Sequence, residues 1–218
     1  MVEKKKSIVL VEDHIMIREH LVNIINNEPD MQVSGQADNI QQGMEVIRST
    51  QPHLAIVDIT LNSGTNGLEL IKGLKMLSLP VPVLVLSMHE ESLYAERALR
   101  AGAKGYITKH RASHELLAAI HRVLAGEIYV SDKMVSTVMR KLTSGGNKNL
   151  SPIDRLTDRE LSVLELIGRG NGTRAIAQSL NLGLATVDTY RARIKEKLNL
   201  RNTFELQDYA IRWVRERP

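Results

Sequence analysis

Five polar residues stand directly behind short apolar runs, and their types belong together chemically. Glu12 and Asp13 follow SIVLV, Asp58 follows LAIV, Ser87 follows VLVL, and Lys109 follows YIT. Three carboxylates held close would repel one another. A hard divalent cation, Mg²⁺ or Mn²⁺, relieves that repulsion and leaves coordination positions for a phosphoryl group. Asp13 and Asp58 are the expected direct ligands, with Glu12 acting through a water and the backbone carbonyl of Thr60 filling a further position. Asp58 ends the most apolar run, so its carboxylate is the candidate nucleophile toward phosphorus, forming an aspartyl phosphate. Lys109 would neutralise charge on the transferred group, and Ser87 would donate a hydrogen bond to one of its oxygens. Taken singly, each has an ordinary alternative: an Asp behind a strand caps a turn, a Ser there is structural, and a Lys is solvated. The joint spacing favours the chemistry.

For these residues to meet, the runs must be parallel strands of one sheet. Ser7 to Val11, Met31 to Gly35, Leu54 to Val57, Val83 to Leu86 and Tyr106 to Thr108 are short and rich in β-branched residues, as strands are. Segments with helical spacing lie between them, including Ile15, Leu21, Ile24 and Ile25 in the first and Leu93, Ala98 and Leu99 in the fourth. Five βα repeats predict an α/β fold, a doubly wound five-stranded parallel sheet whose ligands bind outside the carboxyl ends of the strands. After Gly126 the alternation stops. Asp132 to Leu142 reads as a helix behind a Ser131 or Asp132 cap, and Thr143 to Pro152 (TSGGNKNLSP) has the composition of a flexible linker. Four amphipathic runs follow, Asp158 to Ile167, Arg174 to Leu180, Leu184 to Leu198 and Thr203 to Arg215, with glycines at 168, 170, 172 and 183 as stops. The expected organisation is a phosphoacceptor domain over 1–128, a linker helix and flexible linker over 129–152, and a small all-α domain over 153–218.

Composition agrees with two domains. The 218 residues exceed the usual single-domain length of about 100 to 150. No cysteine is present, which removes disulfides, thiolate metal sites and thiol nucleophiles. No apolar run approaches the roughly 20 residues that span a bilayer, so a cytoplasmic product is expected. The net charge of +4 is unevenly placed: residues 1–130 carry 13 Lys+Arg against 15 Asp+Glu, and residues 131–218 carry 16 against 10. The C-terminal part is the candidate for a polyanion partner.

The strand-end residues resemble the receiver domain of bacterial two-component response regulators over about residues 6–127. The resemblance is carried by the pair Glu12-Asp13, Asp58 in VDIT, Ser87 in VLS and Lys109 at the end of KGYITK. It implies that phosphorylation of Asp58 draws Ser87 inward and lets Tyr106 follow. The surface of the fourth helix, fifth strand and fifth helix then changes, with its readiness to pair with another receiver. Ordinary packing is the other reading of Tyr106. The loop LNSGTNG departs from the family: it lacks proline and places Gly67 nine positions after the acceptor, one more than usual. His89 lies where the family tunes hydrolysis, with a solvent-facing role as the alternative.

In the C-terminal part, two short helices joined by Asn181, Leu182 and Gly183 are the ingredients of a helix-turn-helix. Val187, Tyr190, Ile194 and Leu198 define the buried face of the third run. Ala185, Thr189, Ala192 and Glu196 lie opposite, flanked by Asp188, Arg193 and Lys195, on the surface expected to enter the major groove. Thr157 and Glu160 fit a capping box, and a helix-bridging role for Glu160 is equally open. The stretch 156–202 resembles the LuxR-type DNA-binding domain of the NarL/FixJ regulators, through Leu156-Thr157, Arg159-Glu160, Ile176-Ala177, Leu180, Thr186-Val187, Ile194 and Lys197-Leu198. Where that family often has a cap Ser, a basic residue and a His, this chain has Gly183, Asp188 and Tyr190. Asp188 would accept from a cytosine amino group, orient Arg191 or Arg193, or be solvated. Phosphate anchoring falls to Arg174, Thr186, Arg191, Arg193, Lys195 and Lys197.

Together the two resemblances imply a DNA-binding regulator rather than an enzyme, catalysing only its own aspartyl phosphorylation and dephosphorylation. The implied partners are a sensor histidine kinase, a double-stranded DNA operator, a second copy of the chain on phosphorylation or on DNA through the last helix, and RNA polymerase, with no membrane. Two other readings compete: a helical domain that contacts proteins, and an aspartate-nucleophile phosphatase. The latter usually starts Asp-x-Asp, unlike Asp58-Ile59-Thr60.

Overall fold

The computed structural model describes residues 5–61, 66–88, 91–143 and 152–216. They belong to two compact units, Met1–Thr143 and Ser144–Pro218. The stretch read as a flexible linker falls largely on 144–151, the tip of the loop after Asp58 on 62–65, and His89 on 89–90; these expectations lie outside the described residues.

The first unit alternates strand and helix: β1 (Lys6–Val11), α1 (Ile15–Asn26), β2 (Met31–Ala37), α2 (Ile40–Thr50), β3 (Leu54–Asp58), α3 (Gly67–Met76), β4 (Val83–Ser87), α4 (Glu91–Ala101), β5 (Gly105–Thr108), α5 (Lys109–Leu124) and α6 (Asp132–Thr143). The sheet is parallel in the order β2-β1-β3-β4-β5. The strand order reverses between β1 and β3, which opens a crevice at their carboxyl ends. Alternate side chains divide the sheet between two cores. Ile8, Leu10, Leu54, Ile56, Leu84, Leu86 and Ile107 pack with Leu21 and Ile25 of α1 and with Leu116, Ile120 and Val123 of α5. On the other face α2, α3 and α4 pack in sequence, with Leu70, Ile71, Leu74, Tyr94 and Ala98 buried. Both central strands, β3 and β4, are buried throughout, which accounts for their uninterrupted apolar runs. Ile15, counted with the apolar face of α1 in the sequence, is the first residue of the helix and is 60% exposed.

Beyond α5 the chain turns at Gly126 (φ +86) and runs beside β5. The helix assigned to the linker from the sequence, α6, packs against α4 and buries Met134. Ser131 caps it, its Oγ accepting from the Met134 N–H at 3.2 Å.

The second unit opens with a 3₁₀ turn (Pro152–Arg155), followed by α7 (Asp158–Gly168), α8 (Thr173–Ser179), α9 (Leu184–Leu198) and α10 (Thr203–Arg215). Leu161, Leu164, Ile167, Ile176, Val187, Ile194, Leu206 and Ala210 form its core. Gly168 is the last residue of α7 rather than a stop behind it. A Cβ there would lie 2.4 Å from the Ala210 carbonyl oxygen, so the glycine lets α10 close on α7.

Candidate functional site

The carboxyl ends of β1, β3, β4 and β5 bring Glu12, Asp13, Asp58, Ser87 and Lys109 to the crevice from four well-separated stretches of sequence. Asp58, the last residue of central β3, is 2% exposed. Its Oδ1 accepts from the Thr60 N–H at 3.1 Å, and its Oδ2 lies 2.7 Å from Lys109 Nζ. Lys109 is the first residue of α5, and its Nζ is also 2.7 Å from Glu12 Oε2. One ammonium thus neutralises two buried carboxylates. Burial pushes the Asp58 carboxyl up to about 6, with Lys109 opposing the shift and Glu12 adding to it. Burial lowers Lys109, but the charges of Asp58 and Glu12 outweigh it and hold the ammonium above the ordinary lysine value.

One ligand atom from each of Glu12, Asp13, His14 and Asp58 lies within 4.8 Å of the others, a spacing that a single cation can span. This oxygen-rich set suits a hard divalent cation. His14 was not singled out in the sequence. It joins because the chain reverses between β1 and α1, placing Nδ1 at 2.8 Å from Asp13 Oδ1 and 3.0 Å from Glu12 Oε1. Arg18 was also missed, although it lies one turn further along α1; its Nη1 donates to the Glu12 carbonyl at 2.6 Å.

The longer loop after Asp58 closes at its base. Thr60 pairs with Asn66, and the Gly67 N–H donates to the Ile59 carbonyl at 2.8 Å. A Cβ at position 67 would lie 1.9 Å from the Asp58 carbonyl oxygen, so only glycine fits there despite the added residue. Ser87 is fully buried at the end of β4, paired in register with Thr108. Tyr106, expected from the family resemblance to move inward upon phosphorylation, is already inside: it is 1% exposed and hydrogen-bonded with Ser87.

In the second unit the buried and exposed faces of α9 fall as the spacing predicts. Val187 and Ile194 are buried, Tyr190 and Leu198 half-buried, and Ala185, Thr186, Asp188, Thr189, Ala192, Arg193 and Glu196 exposed. Arg174 on α8 is exposed as well, and Arg191 and Lys195 are half-buried. The turn between α8 and α9 is made by Asn181 (φ +50), not by Gly183, whose φ of −70 suits any residue. Among the described residues Asp188 forms no ion pair with Arg191 or Arg193; Arg191 Nη1 instead reaches Thr173 Oγ1 at 3.3 Å. Lys197 Nζ donates to Glu160 Oε2 at 2.6 Å. The same Glu160 closes a capping box with Thr157, so it both caps α7 and bridges to α9. Its carboxyl is raised by burial, yet the bonds from Lys197 and Thr157 win and hold it below the ordinary range. On α10, Leu206 and Ala210 are buried, Tyr209, Trp213 and Val214 half-buried, and Phe204 is 79% exposed. Among the described residues, no helix is long and apolar enough to cross a membrane.

Residues 8–121 match the response regulator receiver domain, and residues 154–210 match the bacterial regulatory proteins of the luxR family. The chain is 35% identical over 207 residues to the virulence-factor transcription regulator BvgA of Bordetella pertussis, covering 94% of this chain and 96% of that protein. It is 30% identical over 209 residues to the oxygen regulatory protein NreC of Staphylococcus carnosus, with the same coverage. Among solved structures, a LuxR-family two-component response regulator from Aurantimonas sp. is similar at 29% identity and a TM-score of 0.59, over 64% of this chain and 99% of that one. RcsB of Salmonella enterica serovar Typhimurium, bound to promoter rprA, shares the fold at 21% identity and a TM-score of 0.60, over 95% of this chain and 99% of that one.

Proposed function

The chain belongs to the DNA-binding two-component response regulators with a luxR-family output domain, and from that premise we propose that Asp58 is its phosphoacceptor. A sensor histidine kinase is the donor. An Asp58 carboxylate oxygen attacks the phosphorus of the kinase's phosphohistidine, the P–N bond breaks, and the imidazole nitrogen departs with the electron pair. Lys109, released from its pairing with Asp58, turns its ammonium to the oxygens of the new phosphoryl group. Ser87 donates its hydroxyl to one of those oxygens and in doing so exchanges the partner it has in Tyr106. Glu12, Asp13, Asp58 and the Thr60 carbonyl would hold Mg²⁺ or Mn²⁺, which supplies positive charge where the transferred group gains negative charge. The observation that supports this reading most is the buried convergence of Lys109 Nζ on Asp58 and Glu12, each at 2.7 Å.

The output is DNA binding by α8 and α9. Thr189, Ala192 and Asp188 face the bases, and Arg174, Thr186, Arg191, Arg193 and Lys195 hold phosphates. Lys197 contributes by fixing α9 to Glu160 on α7. Phosphorylation controls pairing of two copies, and α10 sets two recognition helices on a two-fold operator. Regulation of transcription at that operator brings RNA polymerase in as a further partner.

The test is genomic DNA capture by the full chain with and without acetyl phosphate in Mg²⁺, with intact mass read in parallel. The parent is expected to gain a phosphoryl group and to enrich specific fragments. Asp58→Asn is expected to gain none and to lose the acetyl phosphate response. A parent that takes up no phosphoryl group overturns the switching part, and capture no better than background overturns the DNA-binding part.

A further inference from the structure

The sequence holds two Asn-Gly pairs, Asn66-Gly67 and Asn171-Gly172. Asparagine before glycine is a thermolabile arrangement, because glycine has no Cβ to keep its backbone nitrogen away from the asparagine side chain. The structure treats the two pairs oppositely. Asn66 is 2% exposed, its Oδ1 accepts from the Leu68 N–H at 2.9 Å, and the Gly67 N–H is committed to the Ile59 carbonyl at 2.8 Å. Asn171 lies half-buried in the turn between α7 and α8, with exposed Gly172 behind it. Among the described residues no acceptor meets the Gly172 N–H. Gly170 (φ +84) and Gly172 both look onto open space where a Cβ would stand, so the chain has room to turn on either side of Asn171. One carbonyl holds the side chain: Asn171 Nδ2 donates to the Leu166 carbonyl of α7 at 3.1 Å, beside the Asn171 N–H at 3.0 Å.

We propose that Asn171 is a site of spontaneous deamidation, whose product loosens the turn between α7 and α8 and weakens the output surface. The Gly172 nitrogen attacks Asn171 Cγ and gives up its proton. The Cγ–Nδ2 bond breaks, and Nδ2 departs with the electron pair and that proton as ammonia. Water then opens the cyclic imide. Cutting the bond from Cγ to the Gly172 nitrogen leaves aspartate; cutting the bond from the Asn171 backbone carbon leaves isoaspartate, whose main chain is longer by a methylene. The balance is water gained and ammonia lost, with no oxidant or reductant. The new carboxylate can no longer donate to Leu166, and it sets negative charge against the carbonyl end of α7. Thr173 and Arg174 of α8 follow directly, and Thr173 Oγ1 accepts from Arg191 Nη1 of α9 at 3.3 Å. The charge therefore stands beside residues assigned above to phosphate anchoring. That consequence rests on the DNA-binding reading; the chemistry of the pair does not.

The test is peptide mapping by mass spectrometry of the full chain aged in warm, mildly alkaline buffer. The Asn171 peptide is expected to pass from amide to acid as two separable products. Gly172→Ala, which suits the φ of −76 at that position, is expected to stop most of the conversion. Asn66 in the folded chain is expected to convert roughly thirtyfold more slowly, the scale of two hydrogen bonds that must open first. In denaturant both are expected to convert at similar rates. Equal conversion of the two in the folded chain overturns the proposal, as does an Asn171 peptide that stays amide while the denatured chain converts. Asn171→Asp carries the charge of the product. It is expected to keep the parent's helical signal and to bind the captured DNA fragments about fivefold more weakly, the scale of one lost hydrogen bond. Binding equal to the parent's overturns the effect on output. A parent that captures no DNA above background defeats the DNA-binding reading instead, and the peptide map still decides whether Asn171 deamidates.

Discussion

Glu160 shows how one side chain serves two elements at once. It is 1% exposed, accepts from the Thr157 N–H and from Lys197 Nζ at 2.7 and 2.6 Å, and so joins the start of α7 to the end of α9. Replacing it with Ala removes the capping box and the bridge together, and the second unit is expected to lose about 1–2 kcal/mol, read from chemical denaturation of the full chain. The pH dependence has a fixed sign. The folded carboxyl sits below its ordinary value of about 4.3, so its contribution is complete above that value and is lost as pH falls through the lower, folded one. The stability difference between the parent and Glu160→Gln should therefore be constant near neutrality and shrink in acid; a gap that widens in acid would contradict the assignment. The crevice positions of Asp58, Lys109 and Ser87 are legible in the sequence because each ends or directly follows a short strand run. His14 and the Lys197–Glu160 pair are not, since each meeting depends on a chain reversal or a helix crossing that spacing along one element does not encode.

Among the elements, the strands were the most legible, their β-branched runs matching β1, β3, β4 and β5 to within a residue at each end. Strand β2 runs two residues further, to Ala37, because pairing with β1 outweighs its weak propensity at Gly35 and Gln36. The segment at Tyr129 carried no strand signal, since a single bridge has no period to read. The reason for a glycine lies in its spatial neighbours, which its place in the sequence does not encode. Gly67→Ala forces a methyl into the Asp58 carbonyl, and the first unit is expected to lose about 3 kcal/mol or more, with phosphoryl uptake falling in parallel; a melting temperature equal to the parent's would show that the loop relaxes. Gly183 asks for the opposite change. It is the N-cap of α9 with no side chain to offer, and its surroundings leave ordinary room for one. Gly183→Ser is expected to stabilise the second unit by a few tenths of a kcal/mol, up to about 0.5, measured by the same denaturation.

For the whole molecule, charge is divided between the two units. The first unit gathers Glu12, Asp13 and Asp58 in one crevice, and residues 131–218 hold the surplus of 16 Lys+Arg over 10 Asp+Glu. The exposed face of α9 is nevertheless mixed, with Asp188 and Glu196 beside Arg193. Affinity for DNA should therefore rest on a few phosphate contacts, each contributing a slope of about −0.9 in log K against log salt. Arg193→Ala is expected to reduce that slope by about 1 and to weaken all sequences alike, whereas Asp188→Ala is expected to relax discrimination at one base pair. Competition titrations over a salt series read both, and a flat salt response would exclude phosphate-anchored binding.

The placement of the aromatic residues has a practical consequence for following the signal. The chain's one tryptophan, Trp213, is half-buried on α10, while Tyr94, Tyr106 and Tyr129 lie in the first unit. Excitation at the red edge of the absorption band selects Trp213, so its emission is an intrinsic optical probe confined to the output half. A change in that emission when Asp58 is modified would be light from the second unit reporting chemistry in the first, with no label attached.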